Sequence, residues 1–220
     1  MQIGLLISTQ YLSTRNIGRN LMAHEGLWEQ LVVLKGAETA KRAKCRYLSD
    51  RDSYIITFLN TEFVVDLSNK QIFSILPDSS KQSTNFLQQL CLLAYLINAQ
   101  DIPFANKLVK GETLPGGQFF FRGVHGIPTE KLKNAFGEQP ETLYQFEKQF
   151  NAKRCEFGDA SIQLFVLPRI PLTVVIWKGD EEFEPRASVL FDQTAAAHLP
   201  LDALLAAVNL AVDALTEIIE

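Results

Sequence analysis

Two stretches of the chain concentrate residue types that ligand sites use. The first, Leu114-Pro115-Gly116-Gly117-Gln118-Phe119-Phe120-Phe121-Arg122-Gly123-Val124-His125-Gly126, sets four glycines and three consecutive aromatics around one Arg and one His. Glycine lets backbone approach a ligand closely, aromatic rings give flat apolar walls, and Arg122 and His125 are polar handles of the kind that orient a bound molecule. The second runs from Trp177 through Lys178, Gly179, Asp180, Glu181, Glu182, Phe183, Glu184 and Pro185 to Arg186, followed by Leu190-Phe191-Asp192 and His198-Leu199-Pro200. The candidate ligand-binding set is Gly116, Gly117, Phe119, Phe121, Arg122, His125, Trp177, Asp180, Asp192 and His198, bordering one partly apolar pocket. A metal-assisted alternative gathers Asp180, Glu181 and Asp192 as hard oxygen ligands with His198 as base. Plainer readings stand beside both. The first stretch is also what a tight Gly-Gly turn before a core strand looks like, and the second fits a solvated acidic turn with Asp192 and His198 capping the loop before the last helix.

Several chemistries are excluded or left without support. There is no GxSxG, no phosphate loop, no GxGxxG opening a helix and no paired His at zinc spacing. Cys45, Cys91 and Cys155 lie too far apart for a CxxC pair or an iron–sulfur motif. An odd, scattered set of thiols suits a reducing compartment, so a cytoplasmic location is expected. With 21 basic against 25 acidic residues, a net charge of −4 and no basic stripe, nucleic acid is not an expected partner. The Lys35–Arg46 concentration of positive charge alternates with Ala and reads as the solvated face of a short helix. No apolar run is long enough to span a bilayer, so no membrane is expected; a protein partner remains open.

The elements that must position these residues follow from periodicity. Apolar spacing predicts two short helices between Ala23 and Ala43, broken at Gly36. Four β-rich runs, Cys45–Leu48, Tyr54–Leu59, Glu62–Asp66 and Gln71–Ile75, are separated by turn residues and predict an antiparallel meander. After a break at Pro77–Ser80, Phe86–Ile97 is apolar all round and predicts a buried central helix. The aromatic run Gln118–Arg122 is expected as a short strand. Further helices are expected over Pro128–Phe136 and Pro140–Phe150, then strands over Ser161–Leu167, Leu172–Trp177 and Ala187–Phe191. The chain closes with a helix from Pro200 to Ile219 whose Leu201, Leu204, Leu205, Val208, Val212, Leu215 and Ile219 share one stripe. The fold class is α+β: antiparallel sheets with a buried central helix and a packed C-terminal helix. Residues 1–20 read as an extension or added strand, and 21–220 as a single domain.

Taken in order, Leu114-Pro115-Gly116-Gly117, Phe119-Phe120-Phe121-Arg122-Gly123 with His125, Phe157-Gly158-Asp159-Ala160, Pro168-Arg169-Ile170-Pro171-Leu172, Trp177–Phe183, and Leu190-Phe191-Asp192 with His198-Leu199-Pro200 resemble the domain-of-unknown-function family numbered 3786, found largely in anaerobic bacteria and archaea. The resemblance spans about residues 24 to 215 and supplies no activity. Some relatives carry a cysteine-rich iron–sulfur module; this chain has no clustered cysteines, so that cofactor is not carried over. The expectation is a small-molecule or cofactor-binding accessory protein of anaerobic metabolism. The resemblance suggests a tetrapyrrole or corrinoid as one candidate, with His125 or His198 as axial ligand. A module docking on a redox or methyl-transfer complex is the third reading.

Overall fold

The computed structural model describes residues 24–75 and 80–217. The expected extension over 1–20 lies outside them, as do most of the Pro77–Ser80 break and the final two residues of the expected C-terminal helix.

The two expected N-terminal helices are present as α1 (Glu25–Val32) and α2 (Gly36–Ala43). The expected meander follows as β1 (Arg46–Leu48), β2 (Ser53–Phe58), β3 (Thr61–Asp66) and β4 (Gln71–Ile75), extended by an unexpected short edge strand, β5 (Lys81–Ser83). All pair antiparallel with their sequence neighbours. β2 and β3 alternate buried and exposed positions along much of their length, the period-two pattern that made them legible. A capping box at Asn85, with Gln88 reaching back to the Asn85 amide, starts α3 (Phe86–Asn98). Its residues Cys91 to Leu96 are all buried, as the unbroken apolar run requires.

The second sheet has the order β6-β10-β9-β8-β7. Its strands are β6 (Leu108–Val109), β7 (Lys153–Arg154), β8 (Ala160–Leu167), β9 (Ile170–Trp177) and β10 (Arg186–Asp192), with β6 and β7 too short to be read from sequence. Between β6 and β7 come α4 (Gly117–Phe120), α5 (Thr129–Phe136), a 3-10 segment over Pro140–Phe146 and α6 (Glu147–Phe150). The 3-10 geometry corrects the expected α-helix over Pro140–Phe150. Pro140, Leu143 and Phe146 are the buried positions, and a spacing of three suits three residues per turn. The chain ends in α7 (Ala195–His198) and α8 (Leu201–Thr216).

α8 packs on α3, where the Cys91 thiol donates to the Ala203 carbonyl at 3.4 Å. Its expected stripe is buried at Leu204, Leu205, Val208, Val212 and Leu215, while Leu201 is half-buried. Ala203, Ala206, Ala207 and Ala211 are buried too, so small residues let neighbours close over more than one face. The two sheets are tied where the Leu59 amide, in the β2–β3 turn, donates to the Val166 carbonyl of β8 at 3.0 Å. No helix among the described residues is long and apolar enough to cross a membrane.

Candidate functional site

The Gly116–Gly126 stretch does not form the expected strand. Gly116 takes φ 77°, and Gly117 packs so closely that a Cβ there would sit 2.0 Å from the Gly111 carbonyl oxygen. This turns the chain into the single helical turn α4, closed by the Phe121 amide donating to the Gly117 carbonyl at 2.9 Å. A helical turn breaks the in–out alternation of a strand, and the three aromatics separate accordingly. Phe121 enters the core and stacks on Phe191, Phe120 stacks flat on the exposed His125 ring at 4.8 Å, and Phe119 is 75% exposed. Arg122 is exposed.

Asp180 organises the turn after β9. Its Oδ1 accepts from the amides of Glu182 at 2.9 Å and Phe183 at 2.8 Å, while its own amide donates to the Phe183 carbonyl. These amide donors hold its carboxyl below the ordinary range. The turn brings Trp177 and Arg186 opposite one another across β9 and β10, with the guanidinium 5.4 Å from the indole centre. Together with Thr129, Glu130 and Lys133 of α5 they wall a cleft of about 1020 Å³. A second cleft of about 310 Å³ is lined by Phe121, Gly126, Ile127 and Val189. Lys110, Thr129, Ala187 and Ser188 line both, so the two sequence-distant stretches border adjoining lobes of one groove. Of the candidate residues, Trp177, Asp180 and Phe121 line it.

Asp192 and His198 belong to a different, buried cluster. Asp192 is 3% exposed, and its carboxylate accepts from the amides of Ala105, Asn106 and Thr194 and from the Thr194 hydroxyl. Burial alone would raise its pKa, but the Thr194 contacts and the two loop amides outweigh it, and the carboxyl lies below its ordinary value. His198 is fully buried; the Gln100 amide donates to its Nδ1 at 3.3 Å, which places the ring proton on Nε2, an atom with no hydrogen-bond partner. Burial, then the nearby Arg169 charge, push its pKa down to about 4, against a smaller upward pull from Asp192. Asp192 thus ties the Ala105–Asn106 loop to Thr194. No hydrogen bond, ion pair or ring contact joins His125 to Asp180, Asp192 or His198. Among the described residues no three His, Cys, Asp or Glu side chains are grouped to hold a metal ion.

Sequence reasoning passed over a buried arginine near enough to His198 to act on its charge. Arg169, given no role within Pro168-Arg169-Ile170-Pro171-Leu172, is 3% exposed and donates to the Arg42 carbonyl at 2.6 Å, the Ile102 carbonyl at 2.7 Å and Asp101 Oδ1 at 2.5 Å. Arg42, expected on a solvated face, is half-buried and donates to the Ala99 carbonyl at 2.6 Å. The carbonyls of Arg42 and Ala43 at the end of α2 are therefore satisfied by Arg169 and by the Tyr95 hydroxyl, 3.0 Å away. The available signal was an arginine inside an otherwise apolar strand-forming run. Lys110 and Thr129, which also line the groove, carry no motif at all, whereas Arg186 closed the second stretch.

Compared with known proteins, residues 36–214 match the model of a family described as a domain of unknown function (DUF3786). No curated protein and no solved structure matches the chain.

Proposed function

Because the chain belongs to the DUF3786 family, whose description supplies no activity, we propose its function from the groove: a small-molecule or cofactor-binding accessory protein of anaerobic metabolism. The observation that carries this reading is the larger lobe, about 1020 Å³, walled by the half-buried Trp177 and the Asp180 turn. That volume suits a small organic ligand. The indole offers a flat apolar wall, and Lys178 and Arg186 offer cationic handles beside it, so the ligand class is an anionic molecule with a planar part. His198, fully buried with Nδ1 engaged, does not reach the groove; this reading therefore uses neither it nor Asp192.

Native mass spectrometry of protein recovered from its own host tests the proposal. Retained non-covalent mass is expected, and Trp177→Ala with Lys178→Glu should abolish it while a single cooperative unfolding transition is kept, since only the half-buried indole loses packing. Protein that carries no retained mass, or a double variant that retains it unchanged, would refute the assignment.

A further inference from the structure

Where the two sheets are tied together lies a separate pocket of about 360 Å³, which shares no lining residue with the groove. Three element ends contribute to it. Lys44 follows α2, Asn60 sits in the β2–β3 turn and Asn151 follows α6, with φ of 50°, 61° and 47°. β8 contributes Phe165, at the point where its ladder with β9 shifts register between Phe165 and Leu167. Beside that bulge the Val166 carbonyl accepts from the Leu59 amide of the other sheet. Phe165 is left 39% exposed, the one exposed position of the strand. Bulges re-aim side chains in this way and recur beside functional sites.

The charge in this pocket has one sign. Lys44 is the only ionisable residue of the lining, so no carboxylate offsets it there. Among the described residues no ion pair or hydrogen bond engages its ammonium, the Thr57 hydroxyl or the Asn151 carboxamide, all of which belong to the lining. The ammonium lies 4.9 Å from the centre of the Phe104 ring, which in turn packs 6.0 Å from the Phe165 ring. The Asn60 carboxamide is fixed, donating to the Gln149 carbonyl at 2.8 Å. Lys44 also holds a left-handed position at the end of a helix, where glycine fits without strain. An unpaired cation, two unengaged hydrogen-bonding groups and an exposed ring thus share one cavity of ligand size.

We propose that this pocket is a second ligand site, for a small aromatic carboxylate. The carboxylate pairs with the Lys44 ammonium and accepts from the Thr57 hydroxyl and the Asn151 side-chain N–H, and the ring of the ligand lies against Phe165 and the half-buried Pro168. A lone cation in a lining without acids favours an anion over a neutral or cationic analogue of the same shape. The exposed ring favours an aromatic anion over a bare inorganic one. This site goes beyond the groove and stands without it.

The probe is benzoate, compared with benzyl alcohol and benzylamine, titrated into the full chain and followed by amide NMR. Saturable shifts at the Thr57, Asn60 and Asn151 amides are expected with benzoate, with an affinity about tenfold above that for benzyl alcohol, and none with benzylamine. Lys44→Gly removes the ammonium but suits the left-handed backbone, so it should keep the fold while weakening benzoate about tenfold. Thr57→Val, an exposed change of similar shape, should weaken it about threefold and serves if the glycine variant fails to fold. Trp177→Ala should leave benzoate binding unchanged, which separates this site from the groove. Unmoved pocket amides, equal affinity for benzyl alcohol, unchanged affinity in either pocket variant, or shifts centred on Trp177 that Trp177→Ala abolishes would each overturn the proposal.

Discussion

Replacing Arg169 with Met tests whether the buried cluster is held by that one guanidinium. The substitution keeps an unbranched side chain of similar reach but removes three hydrogen bonds: two to carbonyls at the end of α2 and before β6, and one to Asp101. Hydrogen bonds involving a charged group contribute about 1.5–3 kcal/mol each, and stranded acceptors add their own cost. Asp101 is half exposed, so its share is under about 1 kcal/mol. Water can partly reach the half-buried Arg42 and Ile102 positions. A loss of about 3 kcal/mol is therefore expected, equivalent to a fall in melting temperature of roughly 6–12 °C for a chain of this size. The same change removes a positive charge that lowers the His198 pKa, so His198 should titrate at higher pH. Urea unfolding at pH 7 and histidine ring NMR across the acid range measure both effects. A stability loss below about 1 kcal/mol together with an unmoved His198 resonance would show that the guanidinium neither supports the α2 end nor acts on the imidazole.

Val208 is fully buried on α8, so Val208→Asp should leave a carboxylate without a partner in the core, cost at least about 4 kcal/mol and abolish cooperative unfolding; a normal thermal transition would contradict the packing. For pH, the folded His198 pKa of about 4 lies below the ordinary 6.5, so the unfolded chain takes up that proton first as pH falls. Its contribution is complete above about pH 6.5 and declines to about pH 4, by about 2–3 kcal/mol. Asp192, with its pKa lowered below 3.8, loses its contribution only at still lower pH. His198→Gln should flatten the slope between pH 6.5 and 4, and an unchanged slope would assign it to other groups.

Periodicity was sufficient to read the longer elements in their order, but not the short strands β5, β6 and β7. The β1–β4 meander, the all-apolar α3 and the α8 stripe each carry a local repeat that reports burial directly, because a side chain's direction repeats every two residues in a strand and every 3.6 in a helix. The aromatic run at Phe119–Phe121 misled because three adjacent rings carry no period. Only the contact of Gly117 with the Gly111 carbonyl decides that the run is one helical turn with a single ring inside. The candidate residues divided for a similar reason. Trp177, Asp180 and Phe121 line the groove, whereas Asp192 and His198 are buried and do not, Asp192 because β6 folds against the far end of β10 and draws the Ala105–Asn106 loop onto its carboxylate. The groove is assembled from β9, β10, α5 and the Lys110 and Phe121 loops, segments up to about eighty positions apart. Residue type and spacing report what a side chain can do and which way its own element turns it. Which distant side chains it meets is decided by sheet order and helix packing.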